Sequence, residues 1–251
     1  MEERLNKWLS RMGVCSRREA DRLIEAGKVL VDNRPASMGQ KVTPGQKVVC
    51  NGKMVRVDRS QRPRPVLLAV NKPKGVVCTT TDKDRAENIV DFLGYPERIY
   101  PVGRLDKDSE GLLLMTNQGD LVNKIMRSGN AHEKEYIVTI DKPVTEHFLE
   151  QMAGGIRLSE LDQVTRPCKV KKVERNTFSI ILTQGLNRQI RRMCEACGCQ
   201  VKRLVRVRIM NIRLGNLRTG AYRQITKEEY EELTGLLKDS SSLSLKERKN
   251  Q

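Results

Sequence analysis

The chain has 251 residues, enough for one large domain or for a small domain and a medium one. It carries 47 Lys and Arg against 31 Asp and Glu, a formal net charge of +16, which favours a polyanionic partner over a small acidic metabolite. Hydrophobic residues make up 38% of the chain, so a core can be buried and general disorder is excluded. The best apolar stretch, PVLLAV at 65–70, is too short for a membrane span.

The remaining composition narrows the class of protein further. The N-terminus, MEERLNKWLSRM, is charged and has no apolar segment of the kind found in secretory signals. Seven cysteines, an odd number, are typical of free thiols in a reducing compartment, so we expect a cytoplasmic protein. The phosphate-binding motifs GxxxxGK[ST] and GxGxxG do not occur, and two histidines leave little material for a Ser-His or His-rich metal site.

The first sixty residues predict a helical hairpin on a small sheet. Apolar residues spaced at i, i+3, i+4 and i+7 predict a helix over 4–12 that ends at Gly13. Ser16 and Glu19 form a capping box for a second helix, which Gly27 ends. Short strand-like segments follow at 29–32, 47–50 and 54–57.

The outer faces of these two helices are strongly basic. Residues 1–62 hold 14 basic and 7 acidic side chains, net +7. A solvated helix surface is the ordinary interpretation, but the one-sided excess favours contact with RNA or DNA. The stretch at 4–33 resembles the S4 RNA-binding domain, and we assign that domain to residues 1–60. The candidate RNA-binding residues in it are Arg4, Lys7, Arg17, Arg18, Arg22 and Lys28, with Arg11 on the same basic face.

The rest of the chain predicts a second domain of the α+β class. The polar, proline-containing stretch 58–65 predicts a linker, which we place at 61–66, before a catalytic domain at 67–237 and a disordered tail at 238–251. Many strands with a few helices predict a mixed, largely antiparallel sheet. Strands are expected at 67–71, 75–79, 111–116, 135–140, 168–173, 178–183, 201–209 and 211–217, and helices at 120–129, 145–155, 186–198 and 227–237.

The stretch GRLDKDSEGLLLMT at 103–116 places Asp106 and Asp108 in a turn between two strands, with basic neighbours. Nearby cations favour the ionised carboxylate, so we expect Asp106 to be charged. An Asp in a turn most often bonds its own backbone, so a structural role and a catalytic role both stay open. We expect Gly111 to permit a tight return into the second strand.

The predicted helix at 186–198 combines a basic face with an apolar one. Clustered arginines need anions, and we favour RNA phosphates over an internal network of salt bridges. A zinc site at Cys194, Cys197 and Cys199 would lack a fourth ligand, so packing in the core is the better interpretation. The basic face carries Arg188, Arg191 and Arg192 together with Glu195, and another face carries Ile190, Cys194 and Cys197.

Tyr136 is one of only nine aromatic residues. It lies in KEYIV at 134–138, where alternation puts Tyr136 and Val138 on one face of a strand. Core packing is the ordinary interpretation, and a stacking surface for an extruded base is the alternative.

Taken together, these segments resemble the RNA pseudouridine synthases of bacteria typified by RsuA. The resemblance is carried by NKPKGVVCT at 71–79, GRLDKDSEGLLLMTNQGDL at 103–121, EKEYIVTI at 133–140 and NRQIRRM at 187–193. Two longer blocks, SGNAHEKEYIVTIDKP and QGLNRQIRRMCE, are most similar to a branch that acts on the large ribosomal subunit. Many relatives carry EGRN where this chain has QGLN at 184–187.

The resemblance implies isomerisation of uridine in 23S rRNA, with a tRNA as a second candidate substrate, by a monomer without cofactor or metal. It implies that Asp106 is the catalytic aspartate, that Tyr136 stacks on the target base and that Arg191 pairs with Asp106. It leaves open whether Asp106 attacks as a nucleophile or acts as a base at the ribose 2′ position. The RNA-binding residues that it implies near the site are Arg104, Leu105, Lys107, Asn187, Arg188, Gln189, Ile190 and Arg192.

Two other functions fit part of the pattern. A non-catalytic S4-domain RNA-binding protein would need the RNA-binding surface but not the three catalytic candidates, which are all present. A metal-dependent nuclease or phosphodiesterase would need clustered carboxylates that the sequence does not offer.

Overall fold

The computed structural model describes residues 2–55, 64–79 and 86–240. Contacts between Cα atoms divide the chain into two compact units, residues 1–65 with 96–98 and residues 66–95 with 99–251. Within the described ranges, no helix combines the length and apolarity needed to cross a membrane. The predicted linker and tail fall partly outside these ranges, at 61–63 and 241–251.

The first unit is the predicted helical hairpin on a small sheet. The apolar face of the first helix, with Leu5, Trp8 and Leu9, packs in the same core as Ala20 and Ile24 of the second helix. Strand β1 pairs with β4, and the other strands form a sheet in the order β3-β2-β5-β6. The elements are β1 Glu3–Arg4, α1 Leu5–Arg11, α2 Arg17–Glu25, β2 Val29–Val31, β3 Arg34–Pro35, β4 Lys41–Val42, β5 Val48–Cys50 and β6 Lys53–Val55.

The predicted capping box forms only in part. The Ser16 hydroxyl accepts a hydrogen bond of 3.1 Å from the Glu19 amide, as expected. The Glu19 carboxylate, however, pairs with Arg22 at 3.3 Å, because a charged partner one helical turn away competes for it. Gly13 and Gly27 follow the two helices with φ of +75° and +69°, as their roles at helix ends require.

The second unit is built on one nine-stranded sheet. Its strand order is β13-β14-β10-β15-β9-β7-β17, with β8 paired to β9 and β16 paired to β15. Only the pairing of β15 with β9 is parallel, so the predicted mixed, largely antiparallel sheet is confirmed. The bounds are β7 Leu67–Lys72, α3 Ile89–Leu93, β8 Tyr100–Val102, β9 Glu110–Thr116, α4 Gly119–Met126, β10 Lys134–Ile140, α5 Glu146–Gly154, β11 Arg157–Leu158, β12 Gln163–Val164, β13 Lys169–Glu174, β14 Thr177–Leu182, α6 Gln189–Ala196, β15 Val201–Ile209, β16 Ile212–Arg213, β17 Tyr222–Gln224 and α7 Lys227–Leu236.

The two central strands β7 and β9 are buried on both faces. Along β9, Leu112 and Leu114 belong to one hydrophobic cluster, whereas Leu113 and Met115 belong to another on the opposite face. Both faces are covered, which explains why these strands are continuous apolar runs rather than alternating ones.

Several predicted elements need correction. Residues 75–79 make an isolated β-bridge at Val77 rather than a strand. The strand expected at 211–217 is only two residues long, and the helix expected from 186 begins at Gln189. Gly111 lies inside β9, not in the turn before it, and a Cβ there would overlap the main chain of Arg206 on β15. Gly111 is therefore needed for the close approach of two strands.

Candidate active site

The turn that carries Asp106 lies between β8 and β9, as predicted. Its main chain closes on itself, because the Ser109 amide donates to the Asp106 carbonyl at 3.1 Å. The Asp106 side chain is half-buried, and its carboxylate lies 3.5 Å from Nη1 of Arg188. The backbone thus builds the turn, and the carboxylate remains available to face a cation.

Two buried cations hold the main chain on either side of Asp106. Lys72 is fully buried and donates at 2.8 Å to the carbonyls of Pro73 and Ser109. Arg206, only 2% exposed, donates from Nε to the Leu112 carbonyl at 2.7 Å and from Nη1 to the Arg104 carbonyl at 3.4 Å. The turn is therefore fixed at both ends, which satisfies the need of a catalytic carboxylate for a rigid support.

Asp106, Asp108, Arg188 and Arg191 form a cluster that we call the Asp–Arg quartet. Arg188 donates two hydrogen bonds of 3.1 Å to the carboxylate of Asp108. Arg191 lies 3.2 Å from the same carboxylate and donates to the Asp108 carbonyl at 3.1 Å. Burial would raise the pKa of Asp108, but the hydrogen bond from Arg188 and the charges of Arg191 and Arg188 outweigh it and hold that pKa below its usual value.

The arginine arrangement differs in detail from the predicted helix face. Arg188 precedes α6, with a left-handed φ of +49°, so it is not part of the helix. In the described residues, the ion pair of Asp106 is with Arg188, and Arg191 reaches Asp108 instead. Arg192 pairs with Glu160 and donates from Nε to the Asn187 carbonyl at 3.1 Å. All three arginines thus take part in internal ion pairs.

A pocket of about 320 Å³ opens beside the Asp–Arg quartet. Tyr136 of β10 lies in one wall of this pocket. It is half-buried and packs against two hydrophobic clusters. It lies directly opposite Arg206 of β15 in the strand register, and Lys134 precedes it by two positions on the same strand. Asp106, Tyr136, Lys134, Arg191 and Arg206 all line this pocket.

The other predicted RNA-binding residues divide into exposed and buried groups. Arg104, Lys107 and Asn187 are exposed near the pocket, whereas Leu105, Gln189 and Ile190 are buried, although they line it. Gln189 accepts a hydrogen bond of 3.1 Å from the Leu186 amide, so it supports the loop before α6. On the first unit, Arg4, Arg11, Arg17, Arg18, Arg22 and Lys28 are exposed and Lys7 is half-buried.

The cysteines in and just after α6 pack as hydrophobic residues. Cys194 and Cys199 are buried in one core cluster, and Cys197 packs against it. Burial raises the pKa of the Cys194 thiol well above its usual value, so it stays protonated. Gln184, which departs from the common family pattern, is buried and accepts a hydrogen bond of 2.8 Å from the Arg166 amide.

The sequence analysis did not identify Lys72, Lys134 or Arg206 as site residues. A signal existed for two of them. Lys134 is two positions before Tyr136 in a strand, so both side chains had to share a face. Arg206 follows Leu204 by two positions in the strand sequence VKRLVRVRI. The alternation of a strand therefore predicted a cation on the same face as an apolar residue.

Comparison with known families decides the identity of this site. A model of the RNA pseudouridylate synthases matches residues 66–196. The chain belongs to the RNA pseudouridylate synthase family. An S4 domain model matches residues 3–48 of the synthase, so the predicted family and fold class are confirmed. The family match covers all the described pocket-lining residues except Leu204 and Arg206, which contradicts the alternative of a non-catalytic S4-domain protein.

The synthase has close relatives among characterised enzymes. It is 52% identical over 239 residues to the dual-specificity RNA pseudouridine synthase RluF of Escherichia coli K12, covering 95% of the chain and 81% of the relative. It is 36% identical over 242 residues to the ribosomal large subunit pseudouridine synthase B of Bacillus subtilis, covering 93% and 96%. A pseudouridylate synthase crystal structure is 27% identical, covers 92% of this chain and 99% of its own, and superposes with a TM-score of 0.67. The predicted resemblance to a large-subunit branch is confirmed.

Proposed function

We propose that the synthase isomerises a uridine of 23S ribosomal RNA, with a tRNA as a second candidate substrate. The observation that carries this proposal is the Asp–Arg quartet at the mouth of a pocket lined by Tyr136. The names of the relatives support the choice of RNA, since one is a dual-specificity RNA enzyme and another acts on the large ribosomal subunit.

The reaction explains the short list of catalytic candidates. The C1′–N1 bond of uridine breaks, the uracil turns and C1′ joins C5, so no atom is gained or lost overall. No nucleotide triphosphate or redox cofactor is needed to balance this reaction. The enzyme must extrude the uridine from its stack, which costs a few kcal/mol.

Asp106 supplies the carboxylate for this chemistry in our proposal. It acts either as the nucleophile at C1′ or as the base at the ribose 2′ position. Arg191 and Arg188 share the charge of Asp106 and Asp108, which orients both carboxylates and keeps that of Asp108 ionised. Tyr136 covers the extruded base, because every base offers a π-face to an aromatic ring.

The flanking RNA is held by exposed cations. We assign phosphate contacts to Arg104 and Lys107 beside the pocket, to the exposed Arg188 while it keeps its carboxylate partners, and to Arg192 once RNA competes for Glu160. Leu105, Asn187, Gln189 and Ile190 complete the lining. We assign the S4 domain to residues 1–60 and the catalytic domain to residues 67–237. The S4 domain binds RNA through its basic helices. We propose that the synthase works as a monomer in the cytoplasm.

Mapping of pseudouridine tests this function. Wild type, Asp106→Asn and Asp162→Asn are incubated with unmodified 23S rRNA and, separately, with a tRNA pool, and new pseudouridines are located by adduct formation and primer extension. Asp162 is a matched control, since it is exposed and its left-handed φ of +46° suits Asn.

We expect a discrete 23S site with wild type and Asp162→Asn, and none with Asp106→Asn, which should still bind the RNA. Modification of the tRNA pool alone would overturn the ribosomal substrate but keep the catalytic assignment. Full activity of Asp106→Asn would overturn the assignment of the aspartate.

A further inference from the structure

Arg206 has a donor that the fold does not use. Its Nε and Nη1 atoms bind the carbonyls of Leu112 and Arg104, but Nη2 is buried and has no hydrogen-bond partner among the described residues. A buried donor left without an acceptor is destabilising, because it has lost its hydrogen bonds to water and gained none in return. Since the side chain lines the pocket, a ligand in the pocket can supply the missing acceptor.

Lys134 brings a second buried cation to the same wall. It is 6% exposed, and its Nζ donates to the His132 carbonyl at 3.3 Å. Burial and the nearby charge of Arg206 lower the pKa of Lys134 to about 8. In the described part of the chain, neither Lys134 nor Arg206 forms an ion pair, so both charges are unneutralised at the pocket wall.

The charge of the lining fits an anion that arises inside the pocket. One carboxylate, that of Asp106, faces five cations there, from Arg104, Lys134, Arg188, Arg191 and Arg206. The exposed Arg104 suits the phosphates, which stay at the mouth with the RNA backbone. Lys134 and Arg206 are buried, so they suit a base that is extruded into the pocket better than the phosphates of the RNA backbone.

The strand register places these cations at the edge of a stacked base. Tyr136 and Arg206 are partners on adjacent strands, next to a β-bulge between Glu135 and Tyr136, and both line the pocket. A uracil ring on Tyr136 therefore has its edge within reach of the Arg206 guanidinium. The acceptors that uracil presents at its edge are the O2 and O4 carbonyl oxygens.

We propose that Arg206 and Lys134 bind the carbonyl oxygens of the target uracil and stabilise the negative charge that it carries after the C1′–N1 bond breaks. This inference rests on the proposed placement of the base against Tyr136. The uracil oxygen would be the acceptor for Nη2 of Arg206. Both buried cations would then bind the same ligand group.

The electron count shows why such donors act in the transition state. When C1′–N1 breaks, the electron pair leaves with N1, and the charge spreads over N1, O2 and O4. C1′ is held meanwhile as an ester of Asp106 or, if Asp106 has removed the 2′ proton, as a glycal with a C1′–C2′ double bond. C5 of the same uracil then uses a ring electron pair to form the bond to C1′, as the ester bond breaks and releases the carboxylate or as C2′ of the glycal regains its proton. The C5 proton leaves to a base, and N1 takes up a proton. Donors aimed at O2 or O4 therefore bind most tightly while the uracil is detached.

Sulfur substitution tests the contact without relying on loss of activity alone. Single-turnover rates are measured on a 23S rRNA fragment that carries uridine, 2-thiouridine or 4-thiouridine at the target. Sulfur is a poor hydrogen-bond acceptor, so the single-turnover rate of wild type should fall roughly tenfold when sulfur replaces the contacted oxygen. Arg206→Gln should slow the uridine reaction by about 100-fold, as loss of one such donor does.

The decisive comparison is the effect of sulfur substitution in wild type against its effect in Arg206→Gln. In Arg206→Gln the sulfur effect should shrink to less than about twofold, because changes at partners in contact are not additive. An equal sulfur effect in wild type and Arg206→Gln at both positions would overturn the contact, since a purely structural role moves all substrates alike. Wild-type inactivity on the ribosomal RNA used would instead count against the proposed substrate.

Two further variants complete the design. Lys134→Met keeps the test available if Arg206→Gln does not fold, because within the described residues the Lys134 side chain donates a single hydrogen bond to the main chain. Arg208→Gln is a matched control, a partly buried arginine of the same strand held by Glu133 and Glu135. Binding is also measured for an RNA that lacks the base at the target position. If Arg206→Gln lost the same affinity for this abasic RNA as for the intact RNA, Arg206 would contact a phosphate and not the uracil, and the assignment would be overturned.

Discussion

Arg188 donates two hydrogen bonds of 3.1 Å to the carboxylate of Asp108, two residues after the candidate catalytic Asp106. The same guanidinium lies 3.5 Å from the Asp106 carboxylate. One cation therefore touches both carboxylates of the turn and ties the loop before α6 to the turn before β9. This relationship makes Arg188 a positioning residue in our proposal, together with Arg191.

Replacement of Arg188 by Gln should separate stability from activity. The pair with Asp108 is partly exposed, and such pairs contribute about 0–1 kcal/mol, so the melting temperature should barely change. The single-turnover rate should fall by roughly tenfold or more, since hydrogen bonds to charged groups are worth about 1.5–3 kcal/mol in a defined site. Arg157→Gln, which removes an exposed ion pair with Asp162, is the control. Equal rates for both variants would contradict the positioning role.

Substitution of Gly111 should destabilise the sheet. An alanine Cβ would overlap the main chain of Arg206, and φ is +102° at this position. We expect Gly111→Ala to lower the free energy of unfolding by about 3 kcal/mol or more, the upper range for overpacking plus backbone strain. Gly215→Ala controls for backbone strain alone, because its φ is +56° but its surroundings are open. Urea titration of both variants measures the difference, and a similar loss in each would show that strand contact is unimportant.

The lowered pKa of Lys134 predicts a specific pH dependence of stability. The folded value is about 8, and an unfolded lysine titrates near 10.4. Between these values the unfolded chain binds more protons, so this residue makes the free energy of unfolding rise as pH increases. Lys134→Met removes that rise, so the stability of the variant relative to wild type should decline by about 1–3 kcal/mol from pH 7 to about 10. Urea titrations across this range would show a constant difference if the lysine were not desolvated.

The basic helices of the first unit predict a salt-dependent affinity for RNA. Arg17 and Arg18 are exposed and form no ion pair within the described residues, so Arg17→Gln and Arg18→Gln should each reduce the slope of log Kd against log salt by about 1. Arg11 is already paired with Glu3 at 2.8 Å, and Arg11→Gln should change the slope less. Filter binding at several salt concentrations measures the slopes, and identical slopes for all three variants would contradict phosphate contact at Arg17 and Arg18.

Local signals predicted most of the fold. Helix spacing, the glycines at 13 and 27 and the alternation around Tyr136 are properties of short segments, and the structure contains the expected elements there. The element that failed at 75–79 is apolar enough for a strand, but within the described residues it has only a one-residue bridge at Val77. Strand formation depends on a neighbour, and sequence does not name the neighbour.

The site was predicted less completely, for a physical reason. Asp106 and Tyr136 belong to recognisable blocks, and the structure places both on one pocket. The left-handed backbone of Arg188 interrupts the apparent helical face, and a sequence pattern does not show such a φ for arginine. The partnership of Arg206 with the turn depends on contacts about one hundred residues apart in the chain, between Arg206 and the Arg104 carbonyl.

Lys72 and Arg206 are both buried cations that donate hydrogen bonds to main-chain carbonyls near Asp106. Main-chain carbonyl oxygens surround both cations in place of hydration water, and in the described residues neither has a carboxylate within ion-pair distance. Their charges are thus solvated by the fold without being cancelled. The turn before β9 therefore lies in a standing positive potential that does not depend on any exposed side chain, and it should persist when RNA phosphates contact the exposed arginines at the mouth of the pocket.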